Sequence, residues 1–220
     1  MSKDLSQELK QKLMDNTFNL VVLGQFKRGK TSLINALLGA DILPMAVIPL
    51  TSIVTVIKYG EDVVVKVFFN NNDIKEIKSE ELYQYITEKG NPKNIKDVRE
   101  VVVTYPSDYL KDGVRLIDTP GVGSIYQHNT DVAYEYIPKC DAAVFVLSVD
   151  QPMSKAEIDF LKDVREYSQK VFFLLNKADY LTESEIKEAM DFTRDALKDL
   201  IGTDVRIIPI SAKLALQGRL

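Results

Sequence analysis

Residues 24–31 read Gly24-Gln25-Phe26-Lys27-Arg28-Gly29-Lys30-Thr31, a Gly-x-x-x-x-Gly-Lys-Ser/Thr run that directly follows the apolar stretch Phe18 to Leu23 and directly precedes a helical pattern from Thr31 to Leu38 closed by Gly39. No other feature constrains the fold as strongly. A strand feeding a glycine-bounded loop that opens a helix can turn its backbone amides onto phosphate oxygens, aided by the positive end of the helix dipole. Lys30 then supplies a point charge at the β- and γ-phosphates, and Thr31 a hydroxyl for Mg²⁺.

The rest of the chain repeats that rhythm. Apolar, β-branched runs at Val114 to Ile117, Ala142 to Leu147, Val171 to Leu175 and Val205 to Ile210 suit strands buried on both faces. Helical patterns fall between them: around Ala133, from Lys155 to Tyr167 and from Glu183 to Leu200. The last two open with Ser154-x-x-Glu157 and Thr182-x-x-Glu185, the spacing of a capping box. Strand and helix in alternation predict an α/β fold with a mostly parallel central sheet. The segment from Ile53 to Tyr105 breaks the alternation. Strand patterns at Ile53–Tyr59, Val63–Phe69 and Glu100–Tyr105 surround an expected helix from Glu80 to Glu88 and suggest an antiparallel extension of the same sheet, with a separate small subdomain as the alternative. Residues 1–15, with Leu5, Leu9 and Leu13 in one stripe, predict an amphipathic surface helix that packs on the domain.

Composition excludes several classes. The 220 residues carry 28 Lys and Arg against 32 Asp and Glu, a net charge of −4, which disfavours a chain that grips nucleic acid non-specifically. One cysteine, Cys140, rules out an internal disulfide and fits a cytoplasmic location. No apolar run reaches the 18 to 20 or so residues of a membrane span, and the first residues do not form a signal peptide. Cys140 reads as core filler, and His128, the sole histidine, as a loop residue rather than a catalyst.

Further site candidates lie at element ends. Asn176-Lys177-Ala178-Asp179 follows a buried strand. There the Asp179 carboxylate can accept from guanine N1–H and N2–H₂, where adenine would present an acceptor. The Lys177 stem can lie along a purine face, and Asn176 can tie the loop to neighbouring backbone. Asp118-Thr119-Pro120-Gly121 places a carboxylate near a metal and the Gly121 amide near a γ-phosphate. Thr51 offers a second hydroxyl to Mg²⁺, and Ser211-Ala212-Lys213 an amide to the guanine carbonyl.

In that order these residues resemble the five nucleotide-binding motifs of P-loop GTPases. The run from Leu23 to Gly39, followed by Ile42-Leu43-Pro44 and Ile48-Pro49-Leu50-Thr51, is similar to the dynamin superfamily, most of all to bacterial dynamin-like proteins. The interval of 67 residues from Thr51 to Asp118 suits the extended sheet of such domains. The resemblance covers nearly the whole chain. It implies that residues 16–220 form a dynamin-type GTPase domain that hydrolyses GTP to GDP with Mg²⁺, and that Gln25, Phe26, Lys27, Arg28, Gly29 and Ser32 join Lys30 and Thr31 around the phosphates. It also implies self-association of GTPase domains, and in the full protein a stalk and membrane-binding regions, absent here, that couple hydrolysis to membrane remodelling at a membrane periphery. In Ras-type enzymes a glutamine after the motif glycine orients the attacking water, whereas Val122 stands here. The resemblance assigns the missing charge to the phosphate loop or a bound monovalent cation, and Lys27 or Arg28 is the expected cis-acting cation. A nucleotide-gated interaction switch with little hydrolysis and an RNA-associated assembly GTPase are the alternative readings.

Overall fold

The computed structural model describes residues 16–45, 51–123, 127–168, 170–202 and 205–218. The expected helix at 1–15 and the Ile48-Pro49-Leu50 loop fall outside what is described; His128, expected in a loop, lies instead in the helix Gln127–Tyr136.

The described residues form fifteen strands and α-helices, which alternate except between Thr55 and Asp118: β1 (Phe18–Leu23), α1 (Lys30–Leu38), β2 (Thr55–Tyr59), β3 (Val64–Phe69), β4 (Ile74–Ile77), α2 (Tyr83–Ile86), β5 (Val98–Tyr105), β6 (Val114–Asp118), α3 (Gln127–Tyr136), β7 (Ala142–Ser148), α4 (Lys155–Tyr167), β8 (Val171–Asn176), α5 (Glu183–Ile201), β9 (Ile207–Pro209) and α6 (Ala212–Gln217). One sheet holds all nine strands in the order β4-β3-β5-β2-β6-β1-β7-β8-β9. The pairs β6–β1, β1–β7, β7–β8 and β8–β9 are parallel. Such a sheet needs helices on both faces, which is why β7 is buried at every residue and reads as a continuous apolar run. Val144 and Val146 pack on the face of α1 and α6, and Phe145 and Leu147 pack with Phe160, Val164 and Leu197 on the face of α4 and α5. Full burial of a side chain such as Phe145 contributes about 2–3 kcal/mol.

The capping signals hold. Ser154 Oγ accepts from the Glu157 N–H (3.2 Å), and the Glu157 carboxylate accepts from the Ser154 N–H (3.0 Å). The Thr182 N–H donates to Glu185 (2.8 Å), and Gly39 and Gly202 close α1 and α5 in the left-handed conformation.

The stretch between Thr51 and Asp118 extends the same sheet, as expected, but in greater detail than its pattern reveals. β2 pairs antiparallel with β6, and β3 antiparallel with both β4 and β5, whereas β2 and β5 run parallel. β4 was not anticipated, since Ile74-Lys75-Glu76-Ile77 is short and largely exposed. The helix expected over Glu80–Glu88 is a 3₁₀ turn at Ser79–Glu81 followed by the single turn of α2. It stops because Thr87 is extended and bridges to Thr51, and its hydroxyl caps the Tyr83 carbonyl (2.8 Å).

Candidate nucleotide site

β1 lies between β6 and β7, so the chain leaves its carboxyl end at the point where strand order reverses, the crevice in which open α/β sheets hold ligands. Residues 24–29 fill that position. Gly24 has φ +137, and a Cβ there would stand 2.4 Å from the Val146 carbonyl oxygen. Gly29 has φ +92, and a Cβ there would stand 2.3 Å from Asn176 Nδ2. Both positions require glycine on conformation and on space. Lys30, in the first turn of α1, folds back so that Nζ donates to the Gly24 (2.9 Å) and Gln25 (3.1 Å) carbonyls. Burial lowers its pKa to about 8, a shift that the nearby Asp118 carboxylate opposes.

Asp118 ends β6, opposite Val22 of β1, and is fully buried. Its Oδ2 accepts from Thr31 Oγ1 (2.8 Å) and more weakly from Thr51 Oγ1 (3.5 Å), while its buried Oδ1 has no hydrogen-bond partner. Burial raises its pKa to about 6 against the pull of Lys30 and both hydroxyls. Three oxygen-bearing side chains, from α1, β6 and the loop before β2, therefore converge, with one orphaned carboxylate oxygen among them. That donor set fits a hard divalent cation whose other ligands are phosphate oxygens and water. The described residues hold no cluster of three His, Cys, Asp or Glu. Thr51 is held from the sheet extension by its bridge to Thr87 and by the bond from the Ser52 N–H to the Ile86 carbonyl (2.8 Å). Gly121 packs on the phosphate loop so closely that a Cβ would lie 2.6 Å from Phe26 N. Val122 pairs with Gln25 as an isolated parallel bridge, and its side chain is buried in the core.

Asn176 joins the remaining parts. Its Nδ2 donates to the Arg28 carbonyl (2.9 Å), and its Oδ1 accepts from the Ala212 N–H (3.0 Å). The base-loop candidate thus links the phosphate loop to the Ser211–Lys213 turn. The Ala212 amide, committed to Asn176, is not available to a base in this arrangement. Ser211 caps α6 through the Leu214 N–H (3.1 Å), and Lys213 is exposed. Lys177 adopts the left-handed conformation and pairs with Asp150 (2.7 Å), and Asp179 projects, exposed, from a 3₁₀ turn at Ala178–Tyr180.

Arg28 requires a correction. Its side chain is fully buried, and its guanidinium spends its donors on Glu157 (Nε to Oε1, 2.9 Å; Nη2 to Oε2, 2.5 Å), Ser148 Oγ (3.0 Å) and the carbonyls of Gln151 (2.7 Å) and Pro152 (2.9 Å). It cannot also meet a phosphate. Lys27 is exposed at φ +66 with Nζ 5.3 Å from the Phe26 ring centroid, and Ser32 Oγ donates to Met45 Sδ (3.3 Å). Sequence reasoning read Glu157 as a capping residue alone and missed Ser148 and Asp150. Glu157 stands at helical spacing with Phe160, Leu161 and Val164, an acid on the apolar face of α4, and that signal could have marked it as paired.

Residues 20–178 match the Dynamin family. An uncharacterized protein in the xynA 3′ region of Caldicellulosiruptor sp. (strain Rt8B.4) is 50% identical over 99% of this chain and 54% of its own length. The bacterial dynamin-like protein of Nostoc punctiforme is 32% identical, over 79% of this chain and 27% of its own. A solved structure described as "An oligomerised bacterial dynamin pair provides a mechanism for the long range sensing and tethering of membranes" superposes with a TM-score of 0.75 at 22% identity, over 98% of this chain and 37% of that one. The chain spans about half or less of the length of these relatives. Phosphate loop, sheet order and family match agree: this chain belongs to the dynamin family, and its fold is that of a P-loop GTPase domain.

Proposed function

We propose that this chain binds guanine nucleotide together with Mg²⁺ and hydrolyses GTP to GDP and phosphate. The convergence of Lys30, Thr31, Thr51 and Asp118 at the carboxyl end of β1 and β6 carries the reading. In it Thr31, Thr51 and Asp118 hold the cation, which supplies charge neutralisation between the β- and γ-phosphates when bound. Lys30 leaves its loop carbonyls for phosphate oxygens, a move its long side chain in the first turn of α1 allows. Gly121 presents its amide to the γ-phosphate from a position packed against Phe26. Asp179 reads the guanine edge, Lys177 flanks the ring, and Asn176 holds both loops in register.

The Val122 side chain can neither donate nor accept and is turned into the core, so the attacking water is oriented by other groups, such as main-chain groups beside Thr51 and Gly121. Lys27, not Arg28, is the residue of the loop free to compensate charge in the transition state, alone or beside a monovalent cation. Self-association of GTPase domains across the nucleotide, and coupling to membrane remodelling through regions of a longer protein at a membrane periphery in the cytoplasm, belong to the same proposal. They rest on the family relationship. No helix among the described residues is long and apolar enough to cross a membrane, and the net charge of −4 gives no support to nucleic acid as a partner.

Phosphate release measured against protein concentration tests the reading. Specific turnover with GTP should rise with concentration, and Lys27→Ala should lower kcat about tenfold with little change in KM. Turnover absent at every concentration would leave a nucleotide-gated switch in its place.

A further inference from the structure

Five side chains form an unbroken polar chain between the phosphate loop and the base loop. Glu157 Oε1 accepts from Arg28 Nε (2.9 Å) and from the Gln25 N–H (3.3 Å), and Oε2 from Arg28 Nη2 and the Ser154 N–H. Arg28 Nη1 donates to Ser148 Oγ (3.0 Å), Ser148 Oγ to Asp150 Oδ1 (2.6 Å), and Lys177 Nζ to Asp150 Oδ2 (2.7 Å). Arg28 is gripped at both ends, because its carbonyl accepts from Asn176 while its guanidinium also closes on the Gln151 and Pro152 carbonyls. An ion pair with both side chains fully buried carries a desolvation cost that ordinary packing would avoid. This one lies between the two loops that the nucleotide must meet at once.

We infer that Glu157, acting through Arg28, and Asp150, acting through Lys177, are positioning residues that join the phosphate and base subsites into one preorganised unit for a guanine nucleoside di- or triphosphate. The inference rests on the guanine-nucleotide reading above and deepens it. Asp150 fixes the ammonium of Lys177, so that the lysine stem is already extended when the purine arrives. Ser148 carries that constraint to Arg28, whose backbone is the phosphate loop itself. Ordering cost at either subsite is thereby reduced before binding.

Glu157→Gln is the obvious variant, but it strands a buried guanidinium and risks unfolding. The test therefore uses the other end of the chain: Asp150→Ala at the exposed Asp150, Ser148→Ala at the buried Ser148, and the double variant. GDP affinity is titrated by fluorescence with a labelled GDP, and Tm is recorded for each protein. Each single change should weaken GDP binding roughly fivefold, and the double should be no worse than about tenfold, because both break the same chain. Multiplicative losses near 25-fold, the additive expectation from those singles, would show two independent sites and overturn the inference. So would lowered Tm with unchanged affinity, the mark of a merely structural role. An unmodified chain that binds ADP as well as GDP would instead overturn the guanine reading beneath it.

Discussion

The buried polar side chains of the β3–β5 extension and those at the ends of β1, β6, β7 and β8 do different work. In the extension they structure their own loops. Asn91 Nδ2 donates to the Tyr85 carbonyl, its Oδ1 accepts from the Lys96 N–H, and Asn94 brackets Val98, all across separations of four to six residues. At the strand ends of the other half the partners are remote: Thr31 to Asp118 spans 87 residues, Arg28 to Glu157 129 and Asn176 to Arg28 148. Local bonds satisfy a backbone that has no strand partner. Long-range bonds among buried charges fix the relative positions of separate loops at a cost in desolvation, which has a return only when a ligand uses the geometry. The extension meets the site where Thr87 and Ile86 hold Thr51 and Ser52, and where Thr55 of β2 pairs with Asp118.

The contrast is sharpened first by Lys30→Ala. Removing the ammonium should weaken nucleotide binding about 100-fold or more in titrations, since a charge-assisted contact inside a low-dielectric site is lost. Stability of the nucleotide-free chain should not fall correspondingly, because the buried charge is itself a burden there. A stability loss as large as the affinity loss would break the comparison.

Asp118 gives the next effect. Its pKa is raised in the folded chain to about 6 from 3.8, so the folded state holds a proton that the unfolded state has released. Its contribution is complete below pH 4 and is lost as pH rises through 6. Denaturant melts of the nucleotide-free chain should therefore lose up to roughly 3 kcal/mol from this group over that window. Asp118→Asn should flatten the curve, and an unchanged pH profile in that variant would refute the assignment. Smallest is Val101→Ala in β5, fully buried in the extension. It should cost about 2 kcal/mol in the same melts with nucleotide affinity unaltered. Affinity loss at a distance would mean that the extension does more than hold Thr51.

The two halves also differed in how far the amino-acid sequence revealed them. Lys155–Tyr167 was readable to the residue because a capping box, an apolar stripe and a polar end agreed. β7 was readable because burial on both faces leaves an uninterrupted apolar run, and β1, β6 and β8 because their inner halves are buried and rich in β-branched and other apolar residues. In the extension, direction of pairing has no local signature, so the parallel β2–β5 pair could not be distinguished from an antiparallel one. The expected helix at Glu80–Glu88 yielded to a tertiary bridge between Thr87 and Thr51 that no periodicity encodes. Within the site, motif spacing located Lys30, Thr31, Asp118 and Asn176, but not the direction of a side chain. Arg28, beside Lys27 in the motif, points into the protein because an acid 129 residues away waits there.

Base selection is the step that most directly tests the account. GTP, ATP and XTP titrated against the unmodified chain and against Asp179→Asn should give GTP at least about 100-fold tighter than ATP in the former. The variant should lose GTP and gain XTP, whose C2 carbonyl an amide can meet. Equal affinity for ATP and GTP, or a variant that still prefers GTP, would contradict it.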